Sequence, residues 1–257
     1  MQANNLIRSA FLILAVASAA LAQSGPTARG VAAEAAALTR LGFNYAKSGQ
    51  YTKAVEALER AVRLVPGSAE GHYLLGTTYN NMDLHGEAIE AFREAIRVRP
   101  GWGAAYSGLG VAYNCARRFE ESLIALQQAV RLVPGRAPAY INLSVTYFNL
   151  GRFREAAEAS HQAVRLDPES AEAHHRLGLA YAFSGKREEA AESLRRAVSL
   201  RPGYAEAHND LSAVYLLLGK KAAALEEYGK VQTLNPGLAA DLYRLIYRDK
   251  LTVANSK

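Results

Sequence analysis

Proline returns every 34 residues in this chain, at Pro66, Pro100, Pro134, Pro168, Pro202 and Pro236. Tyrosine keeps the same interval at Tyr45, Tyr79, Tyr113, Tyr147, Tyr181 and Tyr215. So do small residues at Gly42, Gly76, Gly110, Ser144, Gly178 and Ser212. A further set is Ala54, Ala88, Ser122, Ala156, Ala190 and Ala224. No insertion breaks the register from 35 to 238. A period of this length points to a solenoid, in which stacked copies of one unit bury a continuous core.

One unit, APAYINLSVTYFNLGRFREAAEASHQAVRLDPES at 137–170, shows what is repeated. Leu143, Tyr147 and Leu150 recur at helical spacing, and Gly151 ends that helix because glycine accepts a left-handed backbone. Ala156, Ala159 and Ala163 form one face of a second helix, which Pro168 stops by disfavouring helical geometry before it. Small side chains are needed where helices cross at ~8–10 Å.

The pattern resembles the tetratricopeptide repeat (TPR). Counted within each unit, the small residue stands at position 8, the aromatic at 11, small residues at 20 and 27, and proline at 32. The resemblance covers six repeats, 35–68, 69–102, 103–136, 137–170, 171–204 and 205–238. It departs at position 17, where His85, Arg187 and Lys221 replace an aromatic and are expected to loosen their turns. The resemblance implies an all-α, right-handed α-solenoid of six 34-residue helix-turn-helix units. A stack needs a polar end cap, which residues 239–257 are expected to supply as a capping helix and tail. Read as a helix over 238–249, it would carry Leu238, Leu242, Leu245 and Ile246 as its apolar stripe.

The N-terminus carries Arg8, an apolar run from Phe11 to Ala22, and small residues at Ala20 and Ala22. This is the pattern of a secretory signal peptide over 1–22, with 23–34 as a linker, so an exported periplasmic or secreted protein is expected. The run falls short of the ~20 apolar residues that a membrane span needs. Cys115 is the single cysteine, so no internal disulfide is possible. The formal charge of +6 is not gathered into a stripe, which argues against nucleic acid. Arg63, Arg97, Arg131 and Arg165 share position 29, but Glu87, Glu121, Glu155 and Glu189 share position 19. Acid at a helix start and base at its end is the arrangement the helix dipole favours. Pairs Glu56–Arg60, Glu192–Arg196 and Glu226–Lys230 are expected to add i,i+4 support.

No stretch has the spacing of a phosphate loop, a zinc site or a nucleophile elbow. The expectation is no enzyme, no cofactor and no metal. His72, His174 and His208 share position 4, where Tyr106 and Tyr140 stand in other repeats, and are read as packing residues. A shared ion on His174, His175 and His208 is the competing reading.

The resemblance further implies that the first helix of each repeat lines a concave groove holding an extended or helical peptide of another protein. Its expected contents are Arg40, Tyr73, Leu74, Thr77, Asn80, Gly108, Asn114, Asn142, Asn149, His175, Arg176, Asn209 and Asp210. The asparagines can bond a peptide backbone, since an amide both donates and accepts. Gly108 is read as a notch for a bulky partner side chain. The clamp that chaperone-binding TPR domains use for acidic C-termini is not intact, because Thr39 and Phe43 stand at its first-repeat positions. The expected function is a protein-interaction scaffold in envelope or secretion-complex assembly. The alternatives are an accessory module for a separate enzyme such as a glycosyltransferase, and a histidine-based binder of metal or a small ligand.

Overall fold

A computed structural model describes residues 27–246, which form thirteen α-helices and no strand among the described residues. They run α1 Ala28–Lys47, α2 Tyr51–Leu64, α3 Ala69–Asn81, α4 His85–Val98, α5 Gly103–Cys115, α6 Phe119–Leu132 and α7 Ala137–Asn149. Then follow α8 Phe153–Leu166, α9 Ala171–Phe183, α10 Arg187–Leu200, α11 Ala205–Leu217, α12 Lys221–Leu234 and α13 Pro236–Ile246. Consecutive helices pack on each other, and each odd-numbered helix also touches the next odd-numbered one, the neighbour pattern of an all-α TPR solenoid. The expected signal segment 1–22 and the tail beyond 246 lie outside the described residues.

Two boundaries differ from expectation. Residues 28–34 are helix rather than linker, because Thr27 Oγ1 accepts from the Gly30 amide (3.2 Å) and an alanine-rich run follows. The cap helix begins at Pro236, three residues before 239. Asn235 Oδ1 accepts from the Leu238 amide (3.1 Å), and proline suits the first helical position, where no amide hydrogen is needed. Ala239 and Leu242 are buried beside Val231.

The position-8 residues each face one residue of the following helix. A β-carbon on Gly42 would lie 2.5 Å from Leu58 Cγ, one on Gly178 2.6 Å from Leu194 Cγ, and one on Gly76 2.9 Å from the Phe92 ring. One on Gly110 would collide with Leu126. Repeat 4 solves the crossing differently, with Ser144 and Ser160 both buried and their hydroxyls 2.6 Å apart.

The turns within repeats place position 15 in the left-handed region. Gly49, Gly151, Gly185 and Gly219 occupy it at φ 72–84°, but Asp83 and Arg117 sit there at 58° and 59°. A left-handed L-residue costs roughly 1–2 kcal/mol. Arg117→Gly is therefore expected to raise stability by ~0.5–1 kcal/mol, after allowing for glycine's entropy and the contact of Arg117 with the Phe119 ring at 5.8 Å. A higher urea midpoint checks it. At position 17, His85 bonds Asn80 Oδ1 (3.1 Å) and Arg187 donates to the Leu217 carbonyl (3.4 Å). Both substitutes therefore tie their turns down instead of loosening them.

The position-4 histidines are structural. Nε2 of His72, His174 and His208 donates to the carbonyl of Pro66, Pro168 and Pro202, at 3.0, 3.1 and 2.9 Å. Each thus fastens the start of its helix to the preceding proline turn. On the surface, Lys230–Glu226 forms as expected (3.1 Å). Arg60 and Arg196 instead reach across to Glu34 (3.4 Å) and Glu169 (2.7 Å), carboxylates on neighbouring elements, so the expected pairs with Glu56 and Glu192 are not made. Arg118 holds the Glu121 carboxyl below the usual carboxylate range through a 2.6 Å bond.

Candidate binding groove on the odd-numbered helices

Positions 2, 5, 6, 9, 12 and 13 of each repeat fall on one stripe of its odd-numbered helix. Four of the expected groove residues, Tyr73, Thr77, Asn80 and Gly108, line one cavity of about 270 Å³ between α3 and α5. Asn81, Ser107 and Val111 complete that wall, and Arg136 and Pro138 close it from the start of α7. Two other repeats place a ring pair at the positions that Ser107 and Arg136 hold here. In repeat 2, Tyr73 at position 5 packs on Trp102 at position 34, with ring centroids 4.7 Å apart. In repeat 5, His175 and Tyr204 hold the same two positions, 4.8 Å apart and joined by a 2.9 Å hydrogen bond. In repeat 3 these positions are Ser107 and Arg136, and the space a ring pair would fill stays open.

Gly108 also has a packing reason. A β-carbon there would lie 2.5 Å from Phe92 Cε1. Phe92 is longer than its leucine counterparts, so it reaches past Gly76 to the next repeat, and both helices need a bare Cα. Part of the notch read from the sequence is thus filled from inside by Phe92.

The structure divides the other expected residues into bonded and free. Asn114 Nδ2 donates to Thr146 Oγ1 (2.7 Å), and Thr146 in turn contacts Ser122 Oγ (3.1 Å). Among the described residues, Asn114 Oδ1 and Nε of Arg176 are buried without a hydrogen-bond partner. His175 is buried, with Nε2 bonded to Asp210 Oδ2 (2.7 Å), while Asn209 Nδ2 donates to Asp210 Oδ1 (3.2 Å). These three tie α9 to α11. Burial pushes the Tyr204 phenol up, so the group facing His175 Nδ1 is a hydroxyl able to donate. With both nitrogens engaged, His175 has no lone pair for an ion, and no group of three metal-ligating side chains occurs among the described residues. Arg40 and Asn149 are exposed, Asn142 is half-buried, and Leu74 packs into the cluster around Leu58 and Leu75. At the far end of the face, Phe148, Phe153 and Phe183 form an aromatic cluster with centroids 4.9–5.2 Å apart, and Phe183 is 59% exposed.

The residue missed by sequence reasoning is Arg136. It lies in a turn, at a position where Ser68 and Ser170 cap their helices through the amides of Gly71 and Ala173. An arginine at a helix-capping position was the available signal.

A face of stacked short helices carrying one cavity and a row of amides defines a helical-repeat solenoid. A family model described as cilia and flagella-associated protein 70 C-terminal domain, a TPR family, matches residues 5–241, and the chain belongs to that family. Among solved structures it is similar to PilW, a type IV pilus biogenesis factor, at 19% identity and TM-score 0.72, covering 79% of this chain and 94% of that one. It is similar to PilF of Pseudomonas aeruginosa at 18% identity and TM-score 0.72, covering 87% and 99%. A chain of the APC/C hetero-tetramer Cut9-Hcn1 matches at 19% identity and TM-score 0.72, covering 83% of this chain but only 43% of that one. At these identities the likeness establishes the fold. No curated protein matches the sequence.

Proposed function

We propose that this protein is a non-enzymatic interaction scaffold that seats a peptide of a partner protein on the face of its odd-numbered helices. The observation that carries this reading is the cavity lined by Tyr73, Thr77, Asn80 and Gly108. On the same face, Asn114 Oδ1 and Arg176 Nε are buried with no hydrogen-bond partner among the described residues. A buried polar group without a partner costs ~1–3 kcal/mol. The half-buried Asn142 and the exposed Asn149 on this face are open to a peptide backbone, which their amides can meet as donor and acceptor. We place this scaffold outside the cytoplasm, in envelope or secretion-complex assembly, on the strength of Arg8 and the apolar run Phe11–Ala22. No described helix is long and apolar enough to cross a membrane.

Crosslinking in the native host followed by identification of the attached chains tests the proposal. Asn142→Ala with Arg176→Ala is expected to cut partner capture about tenfold, the loss of one or two hydrogen bonds. Capture unaffected by this pair, yet abolished by substitutions on the even-numbered helices, would place the partner on the other face.

A further inference from the structure

The geometry points to a specific partner motif for this face: an apolar side chain held in the repeat-3 cavity, next to an Asp or Glu side chain paired with Arg136. This inference rests on the reading that the face takes a peptide.

Three observations converge on it. The first is shape. Ser107 and Arg136 stand where repeats 2 and 5 put an interlocked ring pair, which leaves a cavity of about 270 Å³ walled by Tyr73, Phe92 and Val111. It has room for one large apolar side chain and is too small for a folded element.

The second is charge. Arg136 is the one charged residue lining the cavity, and no carboxylate lines it. The Arg136 side chain has no ion pair, hydrogen bond or ring contact among the described residues, whereas Arg118 and Arg152 hold carboxylates on the helices they precede. A guanidinium offers a planar fork that matches a carboxylate and carries its charge at every working pH.

The third is that Arg136 does no local work. It occupies the N-cap of α7 and makes no side-chain cap bond. Serine serves that purpose at Ser68 and Ser170. A cation at a helix start opposes the dipole, and no acid in the first turn of α7 offsets it. Residues that break a local rule without local compensation are where function is expected. This site differs from the chaperone-type clamp, whose positions lie on the helices themselves; compared over repeats 3–5, only Asn142 and Arg176 match it, and the other positions hold Ser107, Val111 and Glu172.

The test is selection from two libraries of random decapeptides, one with amidated and one with free C-termini, on the purified protein. The wild type is expected to enrich an apolar residue beside Asp or Glu from the amidated library. Arg136→Ala should weaken the selected peptides ~10-fold or more, as for loss of one charge-assisted hydrogen bond. Arg136→Glu should exchange the acidic preference for Lys or Arg and keep the apolar one. Ser107→Tyr with Arg136→Trp rebuilds the ring pair of repeat 2, so it should keep the fold and lose the apolar preference. Circular dichroism confirms that each variant is folded. The inference is overturned if Arg136→Glu selects the same motif as the wild type or if the wild type selects basic neighbours. It is also overturned if enrichment comes only from free C-termini, which would make the ligand a chain end. Peptides bound independently of Arg136 would sink this inference and spare the groove. No enrichment by the wild type would sink both.

Discussion

Gly110→Ser is expected to destabilise the protein by about 1–3 kcal/mol, the cost of forcing extra atoms into a packed crossing. A β-carbon at this position collides with Leu126, which is fully buried. Leu126→Ser is expected to cost more, ~3–5 kcal/mol, since it removes a core leucine and buries a hydroxyl without a partner. Together the two changes reproduce the pair that repeat 4 already uses, where the Ser144 and Ser160 hydroxyls lie 2.6 Å apart in the core. The double variant should therefore lose less than the sum, by at least ~1 kcal/mol of coupling. Urea unfolding of the four proteins reads this directly. Strict additivity would mean that the two positions do not form one packing unit.

That crossing shows how far the fold was legible in the sequence. The small residue at position 8 recurs at one interval, so its role in clearance could be read at sight. Its partner at position 24 varies as Leu58, Phe92, Leu126, Ser160 and Leu194 in the first five repeats, while Ser212 of the sixth bonds the Ala224 carbonyl. Periodicity could not reveal a position that keeps its task and changes its chemistry. The helix starts at Ala28 and Pro236 are not legible in the period for a related reason. Thr27 and Asn235 act as caps outside the repeat register, where the period says nothing.

The candidate site was legible as a face and not as a set of contacts. Assigning residues to one stripe of each helix treated them as facing solvent together. His175 and Asp210 are 35 residues apart and bond each other across the repeat boundary, so they hold the scaffold in shape. Tyr73, Thr77, Asn80 and Gly108 do share one cavity, and Ser107 and Arg136 line it with them. The second of these lies off the helix, in a turn that stripe reasoning leaves out.

The same comparison between repeats gives the other large effect, at the C-terminal end. Position 23 is Ala57, Ala91, Ala125, Ala159 and Ser193 in the first five repeats, and Glu227 in the sixth. Glu227 is 7% exposed and His208 4% exposed, and they bond through Nδ1. His208 Nε2 donates to the Pro202 carbonyl at 2.9 Å, so the ring has a hydrogen-bond partner at each nitrogen. Lys230 binds the second carboxylate oxygen of Glu227 at 2.9 Å. Glu227→Ala leaves the buried His208 Nδ1 without its partner, which costs ~1–3 kcal/mol, and opens a void, so it is expected to destabilise the last repeat. Contacts in a solenoid run between neighbours, so the loss should stay local. Amide exchange should quicken across α11, α12 and α13 and hold steady in α3 to α5. Tyr106 with Ala125, and Tyr140 with Ala159, show the uncharged solution to the same two positions. His208→Tyr combined with Glu227→Ala should therefore recover most of the lost stability, since a buried hydrogen-bonded pair can be replaced by well-packed apolar groups at little cost. If protection falls evenly along all thirteen helices, or if the double variant is no better than Glu227→Ala, the pair is not the local clamp that its geometry describes.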